Sequence, residues 1–196
     1  MKSTCTSDLE VIMNEISKFD GAYRFLSNFY EAPVTYRGYQ FPNNEAAFQA
    51  AKCPERMAEF CDLNPSAAKR LGRRVQLRPE WESIKDDVMY TVCKAKFLQN
   101  VDLLNKLLDT GDAELIEGNT WGDKVWGVCN GEGENRLGKI LMRIRSEIRD
   151  GDQEGFCDEL GGFHEGGVGY DPDGVFCGEC PYISCGRCSV WMHRNE

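Results

Sequence analysis

Apolar and polar positions alternate at helical spacing in several separate segments of the chain. The Asn pair at 43–44 offers a cap for a helix that runs through EAAFQAAK and ends before the proline at position 54. Asn64, which is followed by proline, repeats the cap and first-turn pattern, and that short helix is expected to stop near Gly72. The first half of the chain therefore predicts two short helices close together.

The second half predicts three further helices. From Asp86 onwards, apolar residues share one helical face: Val88, Val92, Ala95 and Leu98. Asn100 is expected to cap the next helix, which ends before Gly111. The last helix has one apolar face, formed by Leu137, Ile140, Leu141, Ile144 and Ile148.

Strand patterns are short and irregularly placed between these helices. Residues 23–41 are rich in aromatic and β-branched side chains and are broken by proline and glycine, which predicts two or three strands around turns. Residues 115–117 and 124–128 are expected to be short buried strands. Because strands and helices do not follow strict βαβ units, we expect an α+β fold.

Composition and length indicate one domain with an appendage. Of the 196 residues, 41% are apolar, which suffices for one sizeable core. Ten of the 20 glycines fall in residues 151–196, hereafter the tail. The boundaries predicted are an N-terminal extension at 1–18, a main domain at 19–150, and a separate module in the tail at 151–196.

Apolar runs are too short for a membrane span, and acidic residues are scattered through the first 20 positions, where a signal peptide would be apolar. These patterns predict a cytoplasmic protein without a membrane partner. The net charge is −9, yet residues 1–150 carry 23 acids and 21 bases, so the tail holds most of the excess. Non-specific binding to nucleic acid is not expected, because it depends on many Lys and Arg contacts to phosphates. The charge distribution therefore fits a small ligand better than a nucleic acid.

One candidate site lies on the first predicted helix. Glu45, Gln49 and Lys52 follow at i, i+4 and i+7, so one face presents a carboxylate, an amide and an ammonium group. At a helix start the dipole favours an ionised carboxylate, so Glu45 is expected to have a low pKa and to act as a base, nucleophile or cation stabiliser. The alternative is an ordinary helix-start Glu with solvated partners.

A second candidate site is NTWGDKVWGV at 119–128, in which the Asp123 carboxylate lies between two indoles. The rings of Trp121 and Trp126 can stack on a base or sugar, and Asp123 can act as an acid or hold a ribose hydroxyl. The alternative is two core Trp residues and a turn Asp. Downstream, the glycines before Asn135, the expected cap of the last helix, can form a phosphate-binding turn or a turn without a ligand.

The tail carries a cysteine pattern typical of metal binding. Two CxxC pairs stand four residues apart, and three further ligands are in reach; the full set is Cys177, Cys180, Cys185, Cys188, Cys157, His164 and His193. Structural zinc is the expectation, because a Gly-rich acidic segment has little core of its own. Two sites, one iron–sulfur cluster, or disulfide pairing remain alternatives. Its acidity favours a protein partner over nucleic acid.

Four motifs in order resemble the YbiA-like members of the NADAR superfamily over roughly residues 19–149. The motifs are FLSNFY, PVTYRGYQFPNNEAAFQAAK, WGDKVWGV and GENRLGKILMRIR. The resemblance implies an α+β fold and N-glycosidase activity on phosphorylated ribosylamino-pyrimidine intermediates of riboflavin biosynthesis or on ADP-ribosylated nucleobases. It also implies that Glu45 is the catalytic carboxylate and that Asp123 and Trp126 form a second active-site pair.

The resemblance and the local chemistry together predict a site for a ribosyl phosphate. Arg24 and Lys52 are expected to hold phosphate, and aromatic rings to stack on the base. The predicted substrate-binding residues are Arg24, Phe25, Asn28, Phe29, Gln49, Lys52, Trp126 and Asn135. No catalytic cofactor is expected. The alternative is a non-catalytic reader of ADP-ribose or a nucleotide that uses the tail as a docking surface. If the protein is an enzyme, the shape of its pocket determines which base it releases, and the motifs do not.

Overall fold

The computed structural model describes residues 15–150, which form a mixed α and β fold. Short strand pairs and 3₁₀ turns connect five α-helices. The helices are α1 (Asn44–Ala50), α2 (Pro65–Gly72), α3 (Trp81–Leu98), α4 (Val101–Leu108) and α5 (Arg136–Arg149). The strands are β1 (Glu15–Ile16), β2 (Glu31–Tyr36), β3 (Tyr39–Asn43), β4 (Glu114–Leu115), β5 (Gly118–Asn119) and β6 (Val128–Cys129). The α+β prediction is thereby confirmed for this part of the chain.

The strands pair two by two. β2 and β3 form an antiparallel hairpin, whereas β1 pairs with β4 and β5 with β6, both in parallel. β1 lies within the stretch that the sequence assigns to an N-terminal extension, and its pairing joins it to the domain. The tail lies outside the described residues, as do its predicted metal ligands.

The hairpin delivers the chain into the first helix. The prediction of two or three strands at 23–41 holds for the hairpin, but Gly21–Leu26 is a 3₁₀ segment. Asn43 ends β3 and caps α1, because its side-chain Oδ1 accepts a hydrogen bond of 2.8 Å from the backbone N–H of Ala46. Asn64 caps α2 in the same way through Ala67, at 2.9 Å. These two predicted caps are confirmed, whereas Asn100, the predicted cap of α4, makes no side-chain cap hydrogen bond.

Helix α1 lies at the centre of the fold, and all seven of its residues are buried. Ala46, Ala47 and Ala50 have no exposed surface, so neighbouring helices approach the α1 backbone closely. Helix α3 begins at Trp81, five residues earlier than the apolar pattern from Asp86 predicts. That extra turn places the Trp81 ring against α1.

Two strand predictions in the second half are wrong in part. Of residues 115–117, only Leu115 lies in a strand, β4. Residues 124–127 are not a strand; only Val128–Cys129 pairs there. The backbone N–H groups of residues 134–137 donate to the carbonyls of residues 124–127 at 2.8 to 3.4 Å, so this stretch is bound to the start of α5 instead. Within residues 15–150, no helix is both long and apolar enough to span a bilayer.

Candidate active site

Glu45 is the second residue of α1, and its surroundings fix it firmly. Its backbone N–H donates to the Asn28 carbonyl at 3.1 Å. Its Oε1 accepts a hydrogen bond of 2.9 Å from Gln49 Nε2, one turn along the helix. Only 6% of Glu45 is exposed. The predicted helical face is therefore real for Glu45 and Gln49, which are buried, whereas α1 ends at Ala50 and Lys52 lies half-buried in the turn beyond it.

Burial makes the electrostatics of Glu45 differ from the sequence-based expectation. Loss of hydration raises the pKa of Glu45 above its ordinary value, which corrects the prediction of a low pKa from its helix-start position. Lys69, the Gln49 hydrogen bond, Lys52 and Arg73 act in the opposite direction. Three cations thus surround one buried carboxylate, and they favour its ionised form.

Helix α2 and the residue that follows it supply two of these cations, Lys69 and Arg73, because α2 packs closely on α1. A Cβ added at Gly72 would lie 1.9 Å from Gln49 Oε1, so only glycine allows this contact. Gln49 Oε1 is itself buried without a hydrogen-bond partner among the described residues. Lys69 also stands over the Phe29 ring, 5.4 Å from its centroid. Lys69 is a site residue that sequence reasoning missed, because only the packing of α2 on α1 brings it near Glu45.

An aromatic wall, formed by Phe48, Trp81 and Trp126, stands beside Lys52. The Phe48 ring packs against Trp81 at 5.2 Å and edge-on against Trp126 at 5.4 Å between centroids. Lys52 Nζ lies 5.9 Å from the Phe48 centroid and 5.7 Å from the Trp81 centroid. Burial lowers the pKa of Lys52, while Glu45 opposes that shift. Phe48 and Trp81 are buried, so Trp126, which is half-buried, is the ring of the wall that can stack on a ligand.

Asp123 shapes the loop that carries Trp126. Its Oδ1 accepts hydrogen bonds from the backbone N–H groups of Val125 and Trp126, at 3.0 and 2.9 Å. Asn119 closes the same loop, because its side chain bonds both the N–H and the carbonyl of Asp123. The two indoles differ in exposure: Trp126 is half-buried, whereas Trp121 is 68% exposed.

Glu117 is a further carboxylate of this site that the sequence did not single out. It lies two residues after β4 and directly before β5, and its N–H donates to Asn135 Oδ1 at 3.1 Å. Burial raises the pKa of Glu117 to about 7, and Asp123 and Glu45 reinforce the shift, whereas Lys69 opposes it. The sequence showed only a strand end here, so no local signal marked this carboxylate.

Several predicted binding residues have structural roles in the described domain. Phe25 is buried and packs edge-on against Phe97, 6.5 Å between centroids. Asn28 is also buried, and its side chain donates to Met89 Sδ at 3.1 Å and accepts from Asn44 Nδ2 at 3.3 Å. The Asn28 carbonyl therefore holds the backbone of Glu45 at the start of α1. Its amide faces the core.

Asn135 does not act as the predicted cap or as part of a phosphate-binding turn. It has a left-handed φ of 51° and its side chain caps nothing. Instead Asn135 Nδ2 donates to the Leu115 carbonyl at 2.8 Å, and its Oδ1 holds Glu117. The N–H groups at the start of α5 are occupied by carbonyls of residues 124–127, so they cannot cradle a phosphate. Arg24 is exposed on the 3₁₀ segment.

No metal-binding arrangement is present in the part of the chain that the structure describes: residues 15–150 contain no group of three or more His, Cys, Asp or Glu side chains placed to hold a metal ion. The predicted ligands of the tail, from Cys157 to His193, lie beyond this range.

The NADAR domain model matches residues 16–149. N-glycosidase YbiA of Shigella flexneri serotype 5b is 39% identical over 145 residues, which cover 71% of this chain and 89% of that protein. A riboflavin biosynthesis protein of Vibrio vulnificus is 39% identical over 137 residues, which cover 67% of this chain. The match spans only 37% of the Vibrio protein.

Among solved structures, the NMR structure of Escherichia coli YbiA is similar, with a TM-score of 0.62 and 32% identity. The alignment covers 72% of this chain and 92% of that one. The sequence-based resemblance is thereby confirmed for the domain.

Proposed function

The chain belongs to the NADAR family and is an N-glycosidase, and we propose that it hydrolyses the bond between C1′ of a phosphorylated ribose and a nitrogen of the attached base. The observation that carries this proposal is the buried Glu45 carboxylate with Gln49 and three cations at one end of an aromatic wall.

The chemistry of the bond explains the need for Glu45. Departure of a nitrogen base leaves positive charge on the ribose, as in an oxocarbenium ion. An ionised carboxylate in a site shielded from water stabilises that charge far more than bulk water does, without reorganising during the reaction. Gln49 fixes the carboxylate orientation through its 2.9 Å hydrogen bond. Glu45 therefore stabilises the cation and receives the proton of the attacking water.

The remaining site residues match the other parts of such a substrate. Lys52, Lys69 and Arg73 provide positive charge for the ribose phosphate. Trp126, the half-buried ring of the aromatic wall, provides a flat surface for the base. Arg24, which is exposed on the 3₁₀ segment, is proposed as a further phosphate contact.

We propose a phosphorylated ribosylamino-pyrimidine of the riboflavin-intermediate type as the substrate, since the similar Vibrio protein is named for riboflavin biosynthesis. An ADP-ribosylated nucleobase offers the same kind of bond and a phosphate at the same end of the ribose. A non-catalytic reader would need the same pocket, but a buried carboxylate surrounded by cations is costly for binding alone.

The tail adds a proposal of its own, namely a zinc-binding module that docks a protein partner. Its support is the spacing of Cys177, Cys180, Cys185 and Cys188, with Cys157, His164 and His193 in reach. We propose that zinc is structural and that the hydrolysis uses no cofactor.

The test is to incubate the purified full chain with each substrate class and to measure free base by mass spectrometry. We expect release from the ribosylamino-pyrimidine phosphate, and no release by Glu45→Gln. Glu59→Gln, an exposed carboxylate variant paired with Arg56, is the matched control and should retain full activity. Binding of both substrates without release of either base would favour the reader instead.

A further inference from the structure

Three carboxylates meet at the site, while the hydrolysis of an N-glycoside needs two carboxylate roles. One group must stabilise the ribosyl cation and take a proton from water, and another must give a proton to the departing nitrogen. Glu117 lies close enough to Asp123 and to Glu45 for its charge to interact with both. Their surroundings differ, and those differences allow the roles to be assigned.

Asp123 is already committed to the backbone. Its Oδ1 accepts two N–H hydrogen bonds that hold the turn before Trp126. Both hydrogen bonds are lost if this oxygen turns towards a substrate, and the turn before Trp126 then loses its support. Asp123 therefore fits a role in building the loop and holding ribose hydroxyls better than a role as proton donor.

Glu45 and Glu117 are distinguished by their charged neighbours. The charged groups that act on Glu45 are three cations, Lys69, Lys52 and Arg73, and one carboxylate, Glu117. Those that act on Glu117 are two carboxylates, Asp123 and Glu45, and one cation, Lys69. Cations favour a carboxylate ion, and neighbouring carboxylates favour a neutral carboxylic acid.

The backbone around Glu117 is held firmly, as proton transfer requires. Asn135 Oδ1 accepts its N–H, and its carbonyl accepts the Val128 N–H at 2.9 Å. A Cβ added at Gly127 would lie 2.3 Å from the Glu117 carbonyl oxygen, so the Trp126 loop packs directly on this residue. Glu117 is thus fixed next to the loop that carries the stacking ring.

We propose that Glu117 is the general acid of the site and gives its carboxyl proton to the leaving nitrogen. This inference rests on the proposed N-glycosidase reaction and adds a catalytic residue to it. The C1′–N bond breaks, its electron pair goes to nitrogen, and the Glu117 proton follows. Water then adds to C1′ and passes a proton to Glu45, and exchange with solvent restores both groups.

The pKa of Glu117, about 7, suits this role near neutral pH, because the acid is then present and transfers its proton readily. The titratable groups that face it are Glu45 on α1, Lys69 on α2, Cys93 on α3 and Asp123 on the loop. The rate should fall on the alkaline side as Glu117 loses its proton.

The test compares two substrates that differ in their need for a proton. One is the ribosylamino-pyrimidine phosphate, and the other is 4-nitrophenyl riboside 5-phosphate, whose phenolate departs without protonation. Glu117→Gln should lose at least about 100-fold in kcat on the first and less than about 10-fold on the second. It should also lose the alkaline limb of the pH profile. Glu45→Gln should lose activity on both.

Each other outcome contradicts the assignment. Equal losses by Glu117→Gln on both substrates would make Glu117 a structural residue. If Glu45→Gln or Asp123→Asn instead lost activity on the ribosylamino-pyrimidine phosphate but kept it on the nitrophenyl riboside, the acid role would belong to that residue. Glu117→Asp keeps the acid and should retain the alkaline limb, whether or not the Gln variant folds well. If the wild-type chain cleaves neither riboside, the proposed reaction itself fails.

Discussion

Glu117→Gln should stabilise the folded protein in alkaline solution and leave its stability unchanged in acid. Glu117 has an ordinary pKa of 4.5 and a folded-state pKa of about 7. Each unit of difference corresponds to 1.36 kcal/mol, so ionising Glu117 in the folded protein costs roughly 3 kcal/mol. The glutamine variant avoids that cost because it carries no charge at any pH.

The sign follows from the direction of the shift. Between pH 4.5 and 7 the folded wild-type chain keeps a proton on Glu117 that the unfolded chain has released. The contribution of Glu117 is therefore fully present below pH 4.5 and is lost as pH rises through 7. The difference in unfolding free energy between variant and wild type should grow across this window by roughly 3 kcal/mol.

Urea unfolding measured by fluorescence from pH 4.5 to 8.5 provides the assay. Glu114→Gln is the matched control, because this exposed carboxylate lies three residues away, and its curve should run parallel to the wild type. Parallel curves for Glu117→Gln and wild type would refute the claim that burial, together with the Asp123 and Glu45 carboxylates, raises the pKa of Glu117.

Three further predictions concern the neighbours of Glu45 and the tail. Lys69→Met removes a cation that lowers the pKa of Glu45, so the acidic limb of the pH–rate profile should move to higher pH. The control Lys106→Met, on the exposed face of α4, should leave that limb in place. Gly72→Ala brings a Cβ to 1.9 Å from Gln49 Oε1, so kcat should fall and the unfolding free energy should drop by about 1 to 3 kcal/mol; unchanged kinetics would show that Gln49 does not orient Glu45. Elemental analysis should find at least one zinc per chain, and less than half an equivalent of any metal would remove the zinc proposal for the tail.

Features encoded by adjacent residues were predictable from the sequence. The caps Asn43 and Asn64 act on N–H groups three residues away, so their patterns are legible in the chain. The placement of Glu45 and Gln49 on one helical face follows from helical spacing, and the 2.9 Å hydrogen bond between them agrees with it.

Features that depend on distant segments were not predictable. Asn135 resembles a cap, but its side chain bonds Leu115 and Glu117, about 20 positions away. The low pKa expected for Glu45 was wrong because the helix-start pattern does not reveal that the whole of α1 is buried. Glu117 was missed for the same reason, since its environment forms only when the Trp126 loop closes over it.

Turnover by Glu45→Gln tests the central claim most directly. The measurement is the rate of free base release from the ribosylamino-pyrimidine phosphate, with folding of each variant checked by its thermal transition. A folded Glu45→Gln protein should lose about 3 kcal/mol of transition-state stabilisation, or at least about 100-fold in kcat, while the Glu59→Gln control remains active. Base release by folded Glu45→Gln at the wild-type rate would contradict the assignment of this buried carboxylate as the group that stabilises the ribosyl cation.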